Sequence, residues 1–520
     1  MQTQTLNSSL YDLVVIGGGV NGTGIAADAA GRGLKVLLCE MNDLASATSS
    51  NSSKLIHGGL RYLEYYEFRL VREALAEREV LLKNAPHIIA PLRFQLPHRA
   101  HLRPAWMIRA GLFLYDNLAK RATLAKSTSI RFGDNSPLNN FMNKGFEYSD
   151  AAVDDARLVV LNALAAQQHD AKILVRTKCV KADRTDEGWA ITLENSEGEQ
   201  QQVYAKAIAN AAGPWVASIF DDAMQEKSPK SIRLIKGSHI IVPRIHDQPQ
   251  AYILQNEDGR IVFVIPYEDN FSLIGTTDVE YHGDPSKAAI DQEEIDYLVD
   301  VTNQHFKTQI SAQDVVKTYS GVRPLLNDES NSAQAVTRDY TFEVTTENEK
   351  WPLLSVYGGK ITTYRKLSEA AVNKLCEYFP DAGKSWTKEA VLPGGDFVNR
   401  EALQLAVKSQ YNWLMDDLIK RYVRTYGTLC HKFLKGMASI EDLGFNFGAG
   451  LYQAEVDYLI NCEWAMSVDD VTWRRTKLAM YLSFEQQQLL QNYIEKKVAK
   501  NRDSLDDGAM HSCDMQQQAG

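Results

Sequence analysis

The chain has 520 residues, a length that fits two to four domains with room for a large cofactor and excludes a minimal single-core module. Its apolar and charged fractions, 44% and 23%, belong to a folded globular protein rather than a disordered or fibrous one. A formal net charge of −10 argues against a nucleic-acid partner, because phosphate backbones are held by basic surface that releases counterions.

The segment Met1 to Ser9 is polar and has neither the basic nor the apolar region of a signal peptide, and no run of about 18 apolar residues follows. A protein made in the cytoplasm that does not span a membrane is expected. Cys39, Cys179, Cys376, Cys430, Cys462 and Cys513 are scattered without a CxxC pair or Cys/His cluster, which predicts reduced thiols and no metal site.

In chain order, Leu13 to Ile16 reads as a buried strand, Gly22 to Gly31 as a helix of small residues, and Leu34 to Glu40 as a second strand. This is a β-turn-α-β unit of about thirty residues, the size of a dinucleotide-binding unit. Glu64 to Lys83 has apolar positions three and four apart with no Gly or Pro, and predicts one amphipathic helix. Ala171 to Thr177, GWAITLE and QVYAKAIANAAG read as β structure returning to the first sheet. Ser231 to Thr277 holds several β-rich runs separated by turn residues, as expected of a mostly antiparallel sheet. Pro352 to Tyr357 is a further strand, leading through Gly358 and Gly359 to a helix from about Thr362. Beyond Pro393 the composition changes to long amphipathic helices.

The predicted architecture is α/β: a Rossmann-type FAD-binding domain with an antiparallel-sheet substrate domain and a helical C-terminal domain. The FAD-binding domain takes residues 1–105, 151–230 and 346–392, and 106–150 forms a cap that contacts a membrane. The substrate domain takes 231–345, the helical domain 393–500, and 501–520 a disordered tail. In that tail Leu505 stands where an EF-hand needs Asp or Asn, so no calcium loop is expected.

Gly17, Gly19 and Gly22 form GxGxxG between the predicted strand and helix, with Glu40 about twenty residues on. Gly17 permits the tight turn, Gly19 lets backbone approach a pyrophosphate, and Gly22 allows close helix packing. Glu40 would accept hydrogen bonds from an adenosine ribose. The fingerprint does not separate NAD from FAD, since both carry the ADP half it binds. The later pieces HGGLRY, AAGPW and YGGKITTYR do not repeat the pattern, so no second nucleotide site is visible. Their small residues at separated places suit an extended FAD.

The string ATSSNSSKLIHGGLRYLEYYEFRLVREALAERE (Ala47 to Glu79) closely resembles the FAD-dependent glycerol-3-phosphate dehydrogenases of the aerobic bacterial type. The resemblance recurs at SDAAVDDARLV, RLIKGSHIIVPR, FVIPY, IGTTDVEY, YSGVRPL, GGKITTYRKL and TWRRTK, and so covers nearly the whole chain. It implies FAD, oxidation of sn-glycerol 3-phosphate to dihydroxyacetone phosphate, and reduction of ubiquinone. It also implies a homodimer lying peripherally on the cytoplasmic face of the bacterial inner membrane.

A phosphomonoester calls for Arg, which supplies bidentate charge-assisted bonds. The family pattern places Arg61 and Arg323 near substrate, with Arg323 first for the phosphate; Arg338 and Tyr62 are further substrate contacts. Removing the hydroxyl proton of a secondary alcohol needs a base. His239 is the first choice and Lys360 its rival, able instead to polarise the hydroxyl beside the flavin; Arg61 completes the catalytic set. If Arg61 and Tyr62 lie on an extended strand they face opposite ways. Ser49, Ser50, Ser53, Lys54 and His57 are expected to hold the pyrophosphate and ribityl chain, with Ala212, Gly213, Gly359, Lys360, Thr362 and Thr363 approaching the cofactor elsewhere. Between Arg99 and Arg121, basic residues mix with Trp106, Met107, Ile108, Leu112, Phe113, Leu114 and Tyr115, which suits an interfacial segment that also admits quinone and equally a core helix with basic ends. Competing readings are an oxygen-using glycerol-3-phosphate oxidase, an amino-acid oxidase of the same fold, and a flavin-binding scaffold without turnover.

Overall fold

The computed structural model describes residues 10–99, 102–326 and 339–506. Leu10–Ile16 is the first strand, apolar on both faces at its C-terminal end, as required of a parallel strand covered on both sides. It lies between the parallel strands Val36–Cys39 and Gln200–Asn210, and the parallel set extends to Lys172–Leu174 on one side and Lys350–Tyr357 on the other. Antiparallel strands complete this eight-stranded sheet. The first helix, Val20–Gly31, is almost wholly buried because helices Asp155–Gln168 and Tyr364–Leu375 pack on it. Its small residues permit that approach: a Cβ on Gly24 would stand 2.4 Å from Ser368 Oγ.

The second sheet has ten strands. Its strand Ile232–Pro243, here the histidine strand, pairs antiparallel with Lys317–Leu326, the arginine strand, and with Phe271–Gly275. Helix Gln292–His305, opened by a capping box at Asp291, covers one face of this sheet. Buried Glu294 on that helix accepts from Ser238 Oγ at 3.0 Å and Thr277 Oγ1 at 2.6 Å and pairs with Lys236 at 2.8 Å, which fixes the histidine strand from behind.

Several boundaries differ from expectation. Strand Ile89–Pro97 pairs with Lys144–Val153 in the second sheet, so the boundary at 105 and the cap 106–150 cut across that sheet. Thr341–Glu347, assigned to the substrate domain, joins the first sheet through Lys350–Tyr357. Cross-strand partners settle such membership, which local composition does not record. The helix predicted for Glu64 to Lys83 is two elements, a 3-10 turn Leu60–Tyr65 and an α-helix Phe68–Asn84, separated at Tyr66, whose φ is +60°. The last helix, Phe484–Asp506, runs past the tail boundary at 501. Cys39, Cys179, Cys376 and Cys430 are free thiols, whereas Cys462 is disulfide-bonded, against the expectation of a fully reduced set.

Candidate active site

A cavity of about 470 Å³ runs from the C-terminal edge of the first sheet to the histidine and arginine strands. That volume lies in the range of small-molecule and cofactor sites.

At the first end, Gly17 has φ +112° and a Cβ there would meet Ala211 O at 2.6 Å; a Cβ on Gly22 would stand 1.9 Å from Gly17 O. No side chain fits either position. Gly19 is different: a Cβ would meet only Ser49 Oγ at 3.1 Å, and the residue lines the cavity. The first helix begins there without a side-chain cap, its Val20 N–H donating to Ser49 Oγ at 3.0 Å. A helix N-terminus beside a side-chain-free glycine and a serine hydroxyl is what a pyrophosphate requires. Glu40 directly follows the second strand, its carboxylate accepting from Gly18 N at 2.6 Å and Asn42 N at 2.8 Å, and burial raises its pKa. The residues present therefore fit the ADP half of a dinucleotide, and the cavity continues past Ala212, Gly213, Gly359 and Thr362, small residues and a hydroxyl of the kind an extended FAD is approached by.

At the second end, His239 stacks on Tyr319 of the arginine strand, ring centroids 4.8 Å apart and planes 20° apart. Its Nε2 lies 2.9 Å from Ser53 Oγ. Burial, with cationic Lys54 and Arg323 nearby, holds its pKa well below the ordinary range, so the imidazole is neutral at physiological pH. Glycines make room for the functional side chains: a Cβ on Gly275 would lie 2.3 Å from His239 Cδ2, and one on Gly237 would lie 2.6 Å from the Arg323 guanidinium. Arg323 lines the cavity and is oriented by an ion pair with Asp278 and by Thr277 O at 3.4 Å. Lys360 follows two left-handed glycines, Gly358 and Gly359, and its ammonium sits 5.0 Å over the Tyr62 ring. Thr362 Oγ1 ties this turn to His57, within 3.2 Å of its N and 3.3 Å of its O.

Of the residues expected at the site, the cavity is lined by Gly17, Gly19, Ser49, Ser53, His57, Tyr62, Ala212, Gly213, His239, Arg323, Gly359, Lys360, Thr362 and Glu40. Five others do not reach it. Lys54 is buried in an ion pair with Asp155 at 2.8 Å and donates to Ser50 O, so both Lys54 and Ser50 brace the serine loop from behind. Arg61 is half-buried over the Tyr65 ring, 6.0 Å away, because it and Tyr62 sit on a 3-10 turn rather than an extended strand. Gly22 and Thr363 are packed at helix starts outside the lining. Arg338 lies outside the described residues. Residues that the sequence reading missed are Asp278, Tyr319, Gly237 and Gly275. All four fall inside the strings IGTTDVEY, YSGVRPL and RLIKGSHIIVPR, which carry the family resemblance.

Among the described residues no group of three or more His, Cys, Asp or Glu side chains could hold a metal, and no helix is long and apolar enough to cross a membrane. Helix Ala105–Asn117 turns Trp106, Met107, Phe113 and Leu114 outward and buries Leu112 and Tyr115.

A family described as FAD dependent oxidoreductase matches residues 12–365, and one described as the C-terminal domain of alpha-glycerophosphate oxidase matches 385–498. The chain is 57% identical over 491 residues to a glycerol-3-phosphate dehydrogenase of Pseudomonas aeruginosa, covering 94% of this chain and 96% of that one. It is 57% identical over 485 residues to the aerobic glycerol-3-phosphate dehydrogenase of Escherichia coli K12, with 93% and 97% covered. Similarity extends at 48% over 478 residues to a D-erythritol 1-phosphate dehydrogenase of Brucella abortus, with 91% and 95% covered. In fold it resembles the glycerol-3-phosphate dehydrogenase of Bacillus halodurans complexed with FAD, at a TM-score of 0.71, 24% identity and 95% of each chain.

Proposed function

The chain belongs to the FAD-dependent oxidoreductases, and on that premise we propose that it oxidises sn-glycerol 3-phosphate to dihydroxyacetone phosphate and passes the electrons to ubiquinone. The observation that carries the reading is convergence: His239, Arg323 and Lys360 face one cavity whose other end is the GxGxxG turn. FAD, when bound, supplies the acceptor for the hydride of the carbinol carbon. The chain's own residues do the rest. Arg323, held by Asp278, offers the substrate phosphate a charge-assisted, bidentate partner. Neutral His239 accepts the hydroxyl proton, its ring held by Tyr319 and Ser53 so that no reorientation is needed on substrate binding. Lys360 places positive charge beside the reacting hydroxyl and favours its ionisation.

Peripheral attachment to a membrane fits the outward apolar stripe of helix Ala105–Asn117, flanked by Arg103 and Arg109. Changing Trp106 and Phe113 to Ser should abolish liposome binding in a folded protein; retained binding would assign the contact elsewhere. The 48% identity to an erythritol-phosphate enzyme makes a longer polyol phosphate the second substrate reading.

The deciding experiment is anaerobic mixing of the flavin-loaded protein with glycerol 3-phosphate, erythritol 1-phosphate, glycerol, lactate and glycine, following flavin absorbance. Bleaching by glycerol 3-phosphate, reversed by a quinone analogue, is expected. Bleaching by glycine alone would replace the reading with an amino-acid oxidase, and reoxidation by oxygen but not quinone would make it an oxidase. Arg323→Ala should lower kcat/KM for the phosphorylated substrate on the order of 10²-fold with flavin content intact.

A further inference from the structure

The helical C-terminal domain packs against Tyr319 of the arginine strand through one turn, Asp470–Arg475, which overlaps the string TWRRTK (Thr472 to Lys477). The turn is anchored on both sides of Trp473. Buried Asp470 accepts from Met466 N at 2.7 Å and Ser467 N at 3.0 Å and pairs with Arg176 at 2.8 Å. Buried Arg475 donates to Glu463 O at 2.6 Å and to both oxygens of Asp43, at 2.5 and 2.8 Å, on the loop that follows Glu40. Lys477 pairs with Asp154 at 2.8 Å. Between these anchors Trp473 packs against the hydrophobic cluster that contains Tyr319, its ring edge-on to the tyrosine at 6.0 Å and 62°.

Tyr319 does two things at once. Its ring stacks on His239, and its hydroxyl donates to Ser52 O at 2.8 Å, next to the Ser53 whose hydroxyl meets His239 Nε2. Any tilt of Tyr319 therefore moves both the imidazole and its hydrogen-bond partner. We infer that Trp473 is a positioning residue of the active site: by bracing Tyr319 it holds the His239 ring in place and keeps water from it, so that the C-terminal domain completes the reacting end of the cavity. The kinetic arm of the test rests on the reading of His239 as proton acceptor; the packing arm does not. The charged and titratable groups around the imidazole are Lys54 and Arg323, each with its own carboxylate, Asp155 and Asp278, together with Tyr319. None of them belongs to the C-terminal domain; the Lys317 ammonium of the arginine strand sits 5.5 Å over the Trp473 ring, so a change at Trp473 acts on His239 through packing, water access and the release of that cation.

The test uses the full-length, FAD-loaded protein with Trp473→Ala, Trp473→Leu and Trp473→Phe, each checked for flavin content and melting temperature. Histidine labelled with carbon-13 reports the His239 titration by NMR, assigned by the signal that His239→Asn removes. In Trp473→Ala, or in Trp473→Leu should the alanine variant fail to fold, water reaches the ring and its titration midpoint should rise by about one pH unit or more. The acid limb of the kcat profile should move with it, and kcat should fall about ten-fold with KM changing much less. Trp473→Phe should restore most of both. An unmoved His239 titration in a folded alanine or leucine variant overturns the inference. So does a kcat loss equally deep in the phenylalanine variant with the titration unmoved, since that is general loss of packing. If the wild type fails to oxidise glycerol 3-phosphate while the titration moves as stated, the positioning role stands and the substrate reading falls.

Discussion

Gly275→Ala is the sharpest perturbation the structure offers, because one methyl group would enter the space occupied by the His239 ring. The added Cβ would lie 2.3 Å from Cδ2, 2.7 Å from Cγ and 3.0 Å from Nε2, against 3.4 Å for the onset of ordinary contact. The ring cannot retreat, since Tyr319 is stacked at 4.8 Å and Ser53 holds Nε2 at 2.9 Å. Relief needs a displacement of about 1 Å shared between the imidazole and its strand, and misplacement on that scale costs a reaction on the order of 10²-fold. Overpacking of this kind also destabilises by about 1–3 kcal/mol. The assay pairs kcat for glycerol 3-phosphate with flavin content and melting temperature. A folded, FAD-loaded Gly275→Ala that turns over at the parental rate would refute the placement of His239 as the reacting base. Because the clash is propagated through Tyr319, Gly275→Ala combined with Tyr319→Leu should lose less than the sum of the two single changes, and strict additivity would show that the ring is not confined between them.

Gly22→Ala should yield colourless protein, since its Cβ would meet Gly17 O at 1.9 Å and unseat the turn that receives the pyrophosphate; normal flavin occupancy would contradict that geometry. Lys54→Met leaves Asp155 buried without its cation and should cost about 3–5 kcal/mol, read as a lowered melting temperature, whereas Lys54→Met with Asp155→Leu should recover much of the loss. Asp470 has its pKa lowered to about 2, with Arg475, Arg474 and Arg176 overcoming the effect of burial. Its folded value lies below the ordinary one, so its contribution of about 2 kcal/mol is present above pH ~4 and lost as pH falls toward 2. The melting-temperature gap between wild type and Asp470→Asn should therefore narrow on going from about pH 5 to pH 3, and a constant gap would contradict the assignment.

The parts of this molecule legible in its sequence are those whose signals are contiguous. The unit from Leu10 to Cys39 needs only a strand, a glycine turn, a helix and a strand in order, and the glycines declare the turn because no other residue fits it. His239 and Arg323, picked out by the resemblance of the strings that hold them as well as by chemical type, both line the cavity. What the sequence hid is which way a side chain faces when a distant partner decides it. Lys54 in a serine-rich loop has the composition of a phosphate ligand, yet a carboxylate 101 residues later turns it inward. Arg61 is turned from the cavity by the 3-10 turn Leu60–Tyr65, which opens at left-handed Gly59 and ends at left-handed Tyr66, where an unbroken helical pattern from Glu64 hid the change of element.

The string SDAAVDDARLV shows why such strings can be long without lining the cavity. Asp150 pairs with Arg78 of the helix Phe68–Asn84, Asp154 with Lys477 of the C-terminal domain, and Asp155 with Lys54 of the serine loop. The six-residue window Asp150 to Asp155 at one strand-to-helix junction thus ties down three separate segments of the chain. Each pair is buried or nearly so, where breaking one partner costs much more than a surface pair would return. The serine loop that presents Ser53 to His239 is held by this junction through Lys54 and, at Ser52, by a 2.7 Å bond to the same Asp155 carboxylate. The acid cluster therefore fixes the loop that meets His239, and its residues are constrained by charge pairing in the interior.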